Sequence, residues 1–182
     1  MFRIFSSRAG QSLGTLARLA LFAVLAYWLA KSYGAGSGAG SAIVGKAAPA
    51  FAGHSLEGSE VSLVSLKGRV VVLDFWATWC PPCRKAIPRI QSLSKRFSDR
   101  PVTVLGINMD QGKSPEAIRQ FLSENSIAFG QVLDGGPIAQ KYGVQGIPCT
   151  VVIDKDGIVR QVHTGYSNDL EGVLADSVEK LL

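Results

Sequence analysis

Hydrophobic positions along the chain fall into distinct patterns. Leu19 to Ala30 (LALFAVLAYWLA) is an unbroken apolar run, preceded by a polar stretch with Arg3, Arg8 and Arg18 and closed by Lys31. It has no polar face, so it does not read as the amphipathic helix of a soluble protein. At about a dozen residues it is short of the roughly 20 that span a bilayer, though Leu13 to Arg18 extends it if Arg18 snorkels. Either a cleaved signal peptide or an anchor fits that length. The Gly/Ser run Gly34 to Ser41 (GAGSGAGS) has the composition of a flexible tether, which favours the anchor. The cationic end precedes the apolar run, so the rest of the chain is expected on the extracytoplasmic, periplasmic side of the cytoplasmic membrane. The expected organisation is a signal-anchor over 1–31, a linker over 32–43 and one folded domain over 44–182.

Within that domain the pattern alternates between sheet and helix. Ala47 to Phe51 and Val61 to Leu66, with Gly58 between them, predict an opening pair of short strands. Val70 to Trp76 (VVVLDFW) is a nearly continuous run of β-branched, aliphatic and aromatic residues, expected to be a central strand covered on both sides. From Pro81 to Phe97 apolar residues recur every three or four positions (Ile87, Ile90, Leu93, Phe97), which predicts a helix with Arg84, Lys85, Arg89 and Lys95 turned outward. Val102 to Met109 predicts another buried strand. Ser114-Pro115-Glu116 is a helix start leading to about Asn125. A short strand near Phe129 to Leu133, a helical turn from Pro137 to Tyr142, a hairpin over Cys149 to Thr164 and a last helix capped by Asn168 complete the prediction. The order implies an α/β fold with a mixed central sheet flanked by helices, an N-terminal strand pair and a helix/strand insertion.

Charge changes the picture little. The formal net charge is +5, but four of the 19 Lys and Arg residues lie in the first 31 positions, which contain no Asp or Glu. The remainder is nearly balanced and shows no basic cluster, so no nucleic-acid partner is expected.

Candidate chemistry sits at Trp79-Cys80-Pro81-Pro82-Cys83, where the strong strand gives way to a helix. Unpaired N–H groups and the positive end of the helix dipole favour a thiolate there, which makes Cys80 the candidate nucleophile. Cys83, one turn along, can attack the sulfur of Cys80 and release a mixed disulfide. The competing readings are weaker. A zinc site lacks a second ligand pair, and only Cys149, His54 and His163 remain to supply one. A c-type haem attachment needs His where Arg84 stands. A peroxidatic cysteine has its Thr three residues upstream, whereas Thr78 is two before Cys80. A structural staple of this loop length would stabilise little. Asp74, six residues before Cys80, lies in the most apolar strand; burial should raise its pKa and suit it to take the proton of Cys83. Cys149 reads as a core residue, with a third redox-active thiol as the alternative. His54 in its Gly-rich turn and His163 on a strand read as solvated. No metal or other cofactor is expected, although Cu(I) held by Cys80, Cys83 and His163 is conceivable.

The run FWATWCPPC, with Pro88 five residues after Cys83 and Gly146-Ile147-Pro148 near the hairpin, resembles the thioredoxin superfamily. With GKAAPAF upstream and VIDKDGIV downstream, it is most similar to the TlpA/ResA branch of membrane-tethered thiol-disulfide oxidoreductases. The resemblance covers about residues 44–182 and implies a thioredoxin-like fold. It also implies a cis Ile147-Pro148 peptide facing the cysteines, with the Ile147 backbone pairing to an extended substrate. Trp79, Pro81 and Pro82 would line the substrate groove, and Pro88 would kink the helix. Two positions depart from the branch: Ala86 stands where many members carry Glu, and Asp74 matches thioredoxins where this branch often has Asn.

The function so implied is reduction of disulfides in exported proteins, such as apocytochrome c or copper-site proteins, with a membrane electron donor restoring the dithiol. A disulfide-donating oxidase and a Cu(I) delivery module using the same cysteines are the alternatives. Direction depends on potential, since about 30 mV corresponds to about 1.4 kcal/mol in a two-electron couple.

Overall fold

A computed structural model describes residues 42–182 and the isolated position Val24; the expected anchor and nearly all of the linker lie outside the described residues. Among the described residues no helix is long and apolar enough to cross a membrane. The strands are β1 (Ala52–Ser55), β2 (Glu60–Ser62), β3 (Val70–Trp76), β4 (Val102–Asn108), β5 (Gly130–Leu133), β6 (Cys149–Ile153) and β7 (Val159–Thr164). The helices are α1 (Pro81–Arg96), α2 (Pro115–Glu124), α3 (Pro137–Lys141) and α4 (Leu170–Glu179). The strands form one sheet in the order β2-β1-β5-β4-β3-β6-β7. β3, β4 and β5 run parallel, while β6 and β7 on one side and β1 and β2 on the other are antiparallel to their neighbours.

Every residue of β3 is buried. Strand periodicity sends Val70, Val72 and Trp76 to one face, where they pack with Ile87, Ile90 and Leu93 of α1 and Leu170 and Leu174 of α4. Val71, Leu73 and Phe75 go to the other, where they pack with Ile138 and Ala139 of α3, Tyr142 and Phe51. Both faces are thus sealed, which explains why this strand is apolar throughout rather than alternating. Each such side chain contributes about 1.5–3 kcal/mol by leaving water.

The opening strands differ from expectation. Ala47 to Phe51 is not a strand: Pro49 has no N–H to donate, and Ala47 makes only an isolated bridge to Ile158. The first strand begins at Ala52, so His54 lies on β1 rather than in the turn. β2 stops at Ser62, and Val64–Leu66 is a single 3-10 turn in which Ser65 Oγ donates to the Ser62 carbonyl at 2.7 Å. Asn168 does not cap α4. Asp169 occupies the N-cap position without a side-chain cap, and Asn168 Oδ1 instead accepts from the Tyr166 hydroxyl at 3.1 Å.

Candidate active site

Cys80 is the N-cap of α1, with Pro81 and Pro82 filling the first two helical positions. Those prolines have no N–H, so the first backbone donor available at the helix end is Cys83 N–H, which donates to Cys80 Sγ at 3.2 Å. Cys80 and Cys83 form a disulfide. Cys83 is fully buried, and Cys80 is only 3% exposed.

The way in is a mostly apolar groove of about 400 Å³ beside Cys80. Trp79, Pro81 and Pro82 lie along one wall, Val144 to Ile147 supply the other, and Met109 also lines it. Trp79 stands out into solvent at 65% exposure. The Ile147-Pro148 peptide is cis, and the Ile147 carbonyl oxygen lies 3.7 Å from Cys80 Sγ. The segment expected from resemblance to face the cysteines therefore does so. On the helix, Ala86 is buried beside Cys83, and no carboxylate of α1 takes the place of the missing Glu.

Asp74 lies on the face of β3 that α1 covers and is 1% exposed. Its Oδ1 accepts from Thr150 Oγ1 at 3.1 Å, and its Oδ2 has no partner among the described residues. Burial pushes its pKa up to about 7, an effect only partly offset by the Thr150 hydrogen bond. Asp74 pairs with Thr150 on one side and Gly106 on the other, and Gly106 pairs with Gln131. A polar row thus crosses four strands beneath α1. It closes because Gly106 has no side chain: a Cβ there would lie 2.1 Å from Gln131 Oε1. Gln131 Oε1 accepts from the Trp76 indole at 2.9 Å, and Trp76 stacks on Phe121, over which Arg84 lies.

Cys149 sits on the other face, buried beside Phe75. Burial, helped by the charge of Asp74 and opposed by a Thr164 hydrogen bond, pushes its pKa up to about 11. His163 is half-buried opposite Thr150, and His54 is exposed. Among the described residues no three His, Cys, Asp or Glu side chains gather as a metal site.

The groove residues Met109, Val144 and Gln145 were not singled out by the sequence. The available signal was positional: Met109 follows β4, and crevices beyond the carboxyl ends of parallel strands are where such folds bind.

The AhpC/TSA family model matches residues 44–162. The chain belongs to that family. The thiol-disulfide oxidoreductase ResA of Bacillus thuringiensis subsp. konkukian is 36% identical over 67% of this chain and 70% of its own length. The thioredoxin-like protein YneN of Bacillus subtilis is 34% identical over 66% of this chain and 71% of its own. Among solved structures, a protein assigned as thiol:disulfide interchange protein DsbE from Chlorobium tepidum superposes with a TM-score of 0.69 at 32% identity. That match covers 76% of this chain and 96% of the other. With its paired cysteines at the head of α1, this AhpC/TSA-family chain has the thioredoxin-like fold and is a thiol-disulfide oxidoreductase.

Proposed function

We propose that the protein works outside the cytoplasm, tethered by its N-terminal segment, and reduces disulfides in exported proteins whose extended segments enter the groove beside Cys80. The observation that carries the reading is the recessed Cys80 Sγ, 3.7 Å from the Ile147 carbonyl, with a carboxyl whose pKa is about 7 buried on the same side of the sheet as Cys83. In the reduced enzyme the Cys80 thiolate attacks one sulfur of the client disulfide. That bond breaks, the second client sulfur leaves as thiolate, and a mixed disulfide forms. Asp74 takes the proton of Cys83, whose thiolate attacks Cys80 Sγ and expels the remaining client sulfur. Two electrons pass to the client, and the Cys80–Cys83 disulfide is left for a membrane dithiol donor to reduce. Apocytochrome c and copper-site proteins suit the role, since each must hold a cysteine pair reduced until its haem or metal is attached.

The test is the reduction potential of the full-length protein, equilibrated in glutathione or dithiothreitol buffers. A value near the thioredoxin end of the scale, roughly −270 mV, supports a reductant; one near roughly −120 mV makes the protein a disulfide donor.

A further inference from the structure

Asp110 is a buried carboxylate that the chemistry above does not use. It lies two residues beyond β4, is 9% exposed, and accepts from Thr78 N–H at 2.9 Å, Thr78 Oγ1 at 2.8 Å and Asn108 Nδ2 at 2.8 Å. Lys113 Nζ donates to the Thr78 hydroxyl at 2.6 Å, so that hydroxyl stands between an ammonium and a carboxylate and its proton is directed to Asp110. Every hydrogen-bond partner of its carboxyl oxygens is a donor, which offsets the cost of burying a polar group. The Thr78 segment leads directly into Trp79 and Cys80, the first wall of the groove.

The same strand end also holds the second wall. The Asn108 carbonyl accepts from Asp134 N–H at 3.0 Å and Gly135 N–H at 3.2 Å. The Asp134 carboxylate accepts from the N–H groups of Gly136, Ile138 and Ala139 at the start of α3. α3 then hands the chain to Val144, whose N–H donates to the Ala139 carbonyl at 2.9 Å. Both walls are thereby bonded to Asn108 and Asp110, and Met109 between them lines the groove.

We propose that Asp110 is a positioning residue for protein substrates: through Thr78 it sets the distance between the two groove walls, and so how an extended segment presents its disulfide to Cys80. The inference rests on the reading of the groove as the client site and narrows it. A segment lying against both walls depends on their spacing, whereas a small disulfide that meets only the sulfur does not. Asp110→Asn replaces an acceptor oxygen with an amide that faces donors. Thr78→Val removes the hydroxyl at nearly constant shape, and Thr78→Ser restores it.

The full-length protein and these three variants would be assayed on insulin disulfides with dithiothreitol as electron donor and, after prereduction and removal of the reductant, in single turnover on 5,5′-dithiobis(2-nitrobenzoate). The expected result is a KM for insulin raised about tenfold in Asp110→Asn and severalfold in Thr78→Val, kcat and the small-disulfide rate staying within about twofold, and Thr78→Ser near wild type. Unchanged KM in the variants overturns the proposal, as does a parallel fall in both assays, which would mark a purely structural role. If Asp110→Asn does not fold, the Thr78 pair decides. A wild-type protein that turns over neither substrate removes the client reading itself, whereas a flat KM beside wild-type turnover removes only the role of Asp110.

Discussion

The two faces of the central sheet both bury an ionisable group within one residue of the same cross-strand pairs, yet with opposite outcomes. Under α1, Asp74 sits in a row with Thr150, Gly106 and Gln131, and its pKa comes to about 7. On the far face Cys149 lies among Phe75, Val151 and Tyr142, and its pKa goes to about 11. Desolvation disfavours the charged form in both places. A carboxyl begins well below neutrality and is carried up to it; a thiol begins above and is carried away. The same burial therefore brings the titration of one group to neutral pH and leaves the other a small hydrophobe.

The largest effect that tests this contrast is on Asp74. Its native pKa of about 7 exceeds the ordinary 3.8, so the folded state binds more protons between those values. Its contribution to stability is fully present below pH 3.8 and is lost as pH rises to 7, amounting to about 4 kcal/mol. Asp74→Asn should raise unfolding free energy by about that much at pH 8 and little at pH 4, read by urea denaturation. The same change should slow release of the mixed disulfide on the order of 100-fold near neutral pH in single-turnover assays. A stability gain equal at both pH values, or turnover unchanged across the pH range, would remove the proton-carrier role.

Gly106→Ala is the next in size. The new methyl must displace the Gln131 side chain that holds the Trp76 indole, at a cost of about 1–3 kcal/mol in thermal or chemical unfolding. An unaltered midpoint would show that the polar row is slack. Smallest is Cys149→Ala, expected to lose about 1 kcal/mol of packing and no activity. Loss of turnover, or a disulfide to Cys149 seen by mass spectrometry under oxidising conditions, would return that thiol to the redox chemistry.

The parts legible in the sequence were those whose signal is local. VVVLDFW announces a doubly covered strand because each residue is apolar or, in Asp74, conspicuous for not being so. CPPC marks a helix start because prolines fit only there. β1 and β2 were misplaced because AGHS and EVS carry a single large apolar residue between them, Val61, and the one buried position, Ser55, is polar, so no apolar alternation betrays them. Asp110 was passed over for a different reason. Its partner Thr78 is 32 positions away, and only the parallel register of β3 on β4 brings the two strand ends together. A hydrogen bond of that span leaves no periodic trace.

The recess of Cys80 also isolates the enzyme from its own kind. Sulfur exchange needs three sulfurs nearly in line at bonding distance, and two rigid copies, each with its nucleophile set down inside a groove, cannot bring their sulfurs together. On the proposed reading of the groove, exchange between copies or with other folded proteins whose dithiols are sunken is disfavoured by shape, while small disulfides and extended cysteine-bearing segments keep access to Cys80.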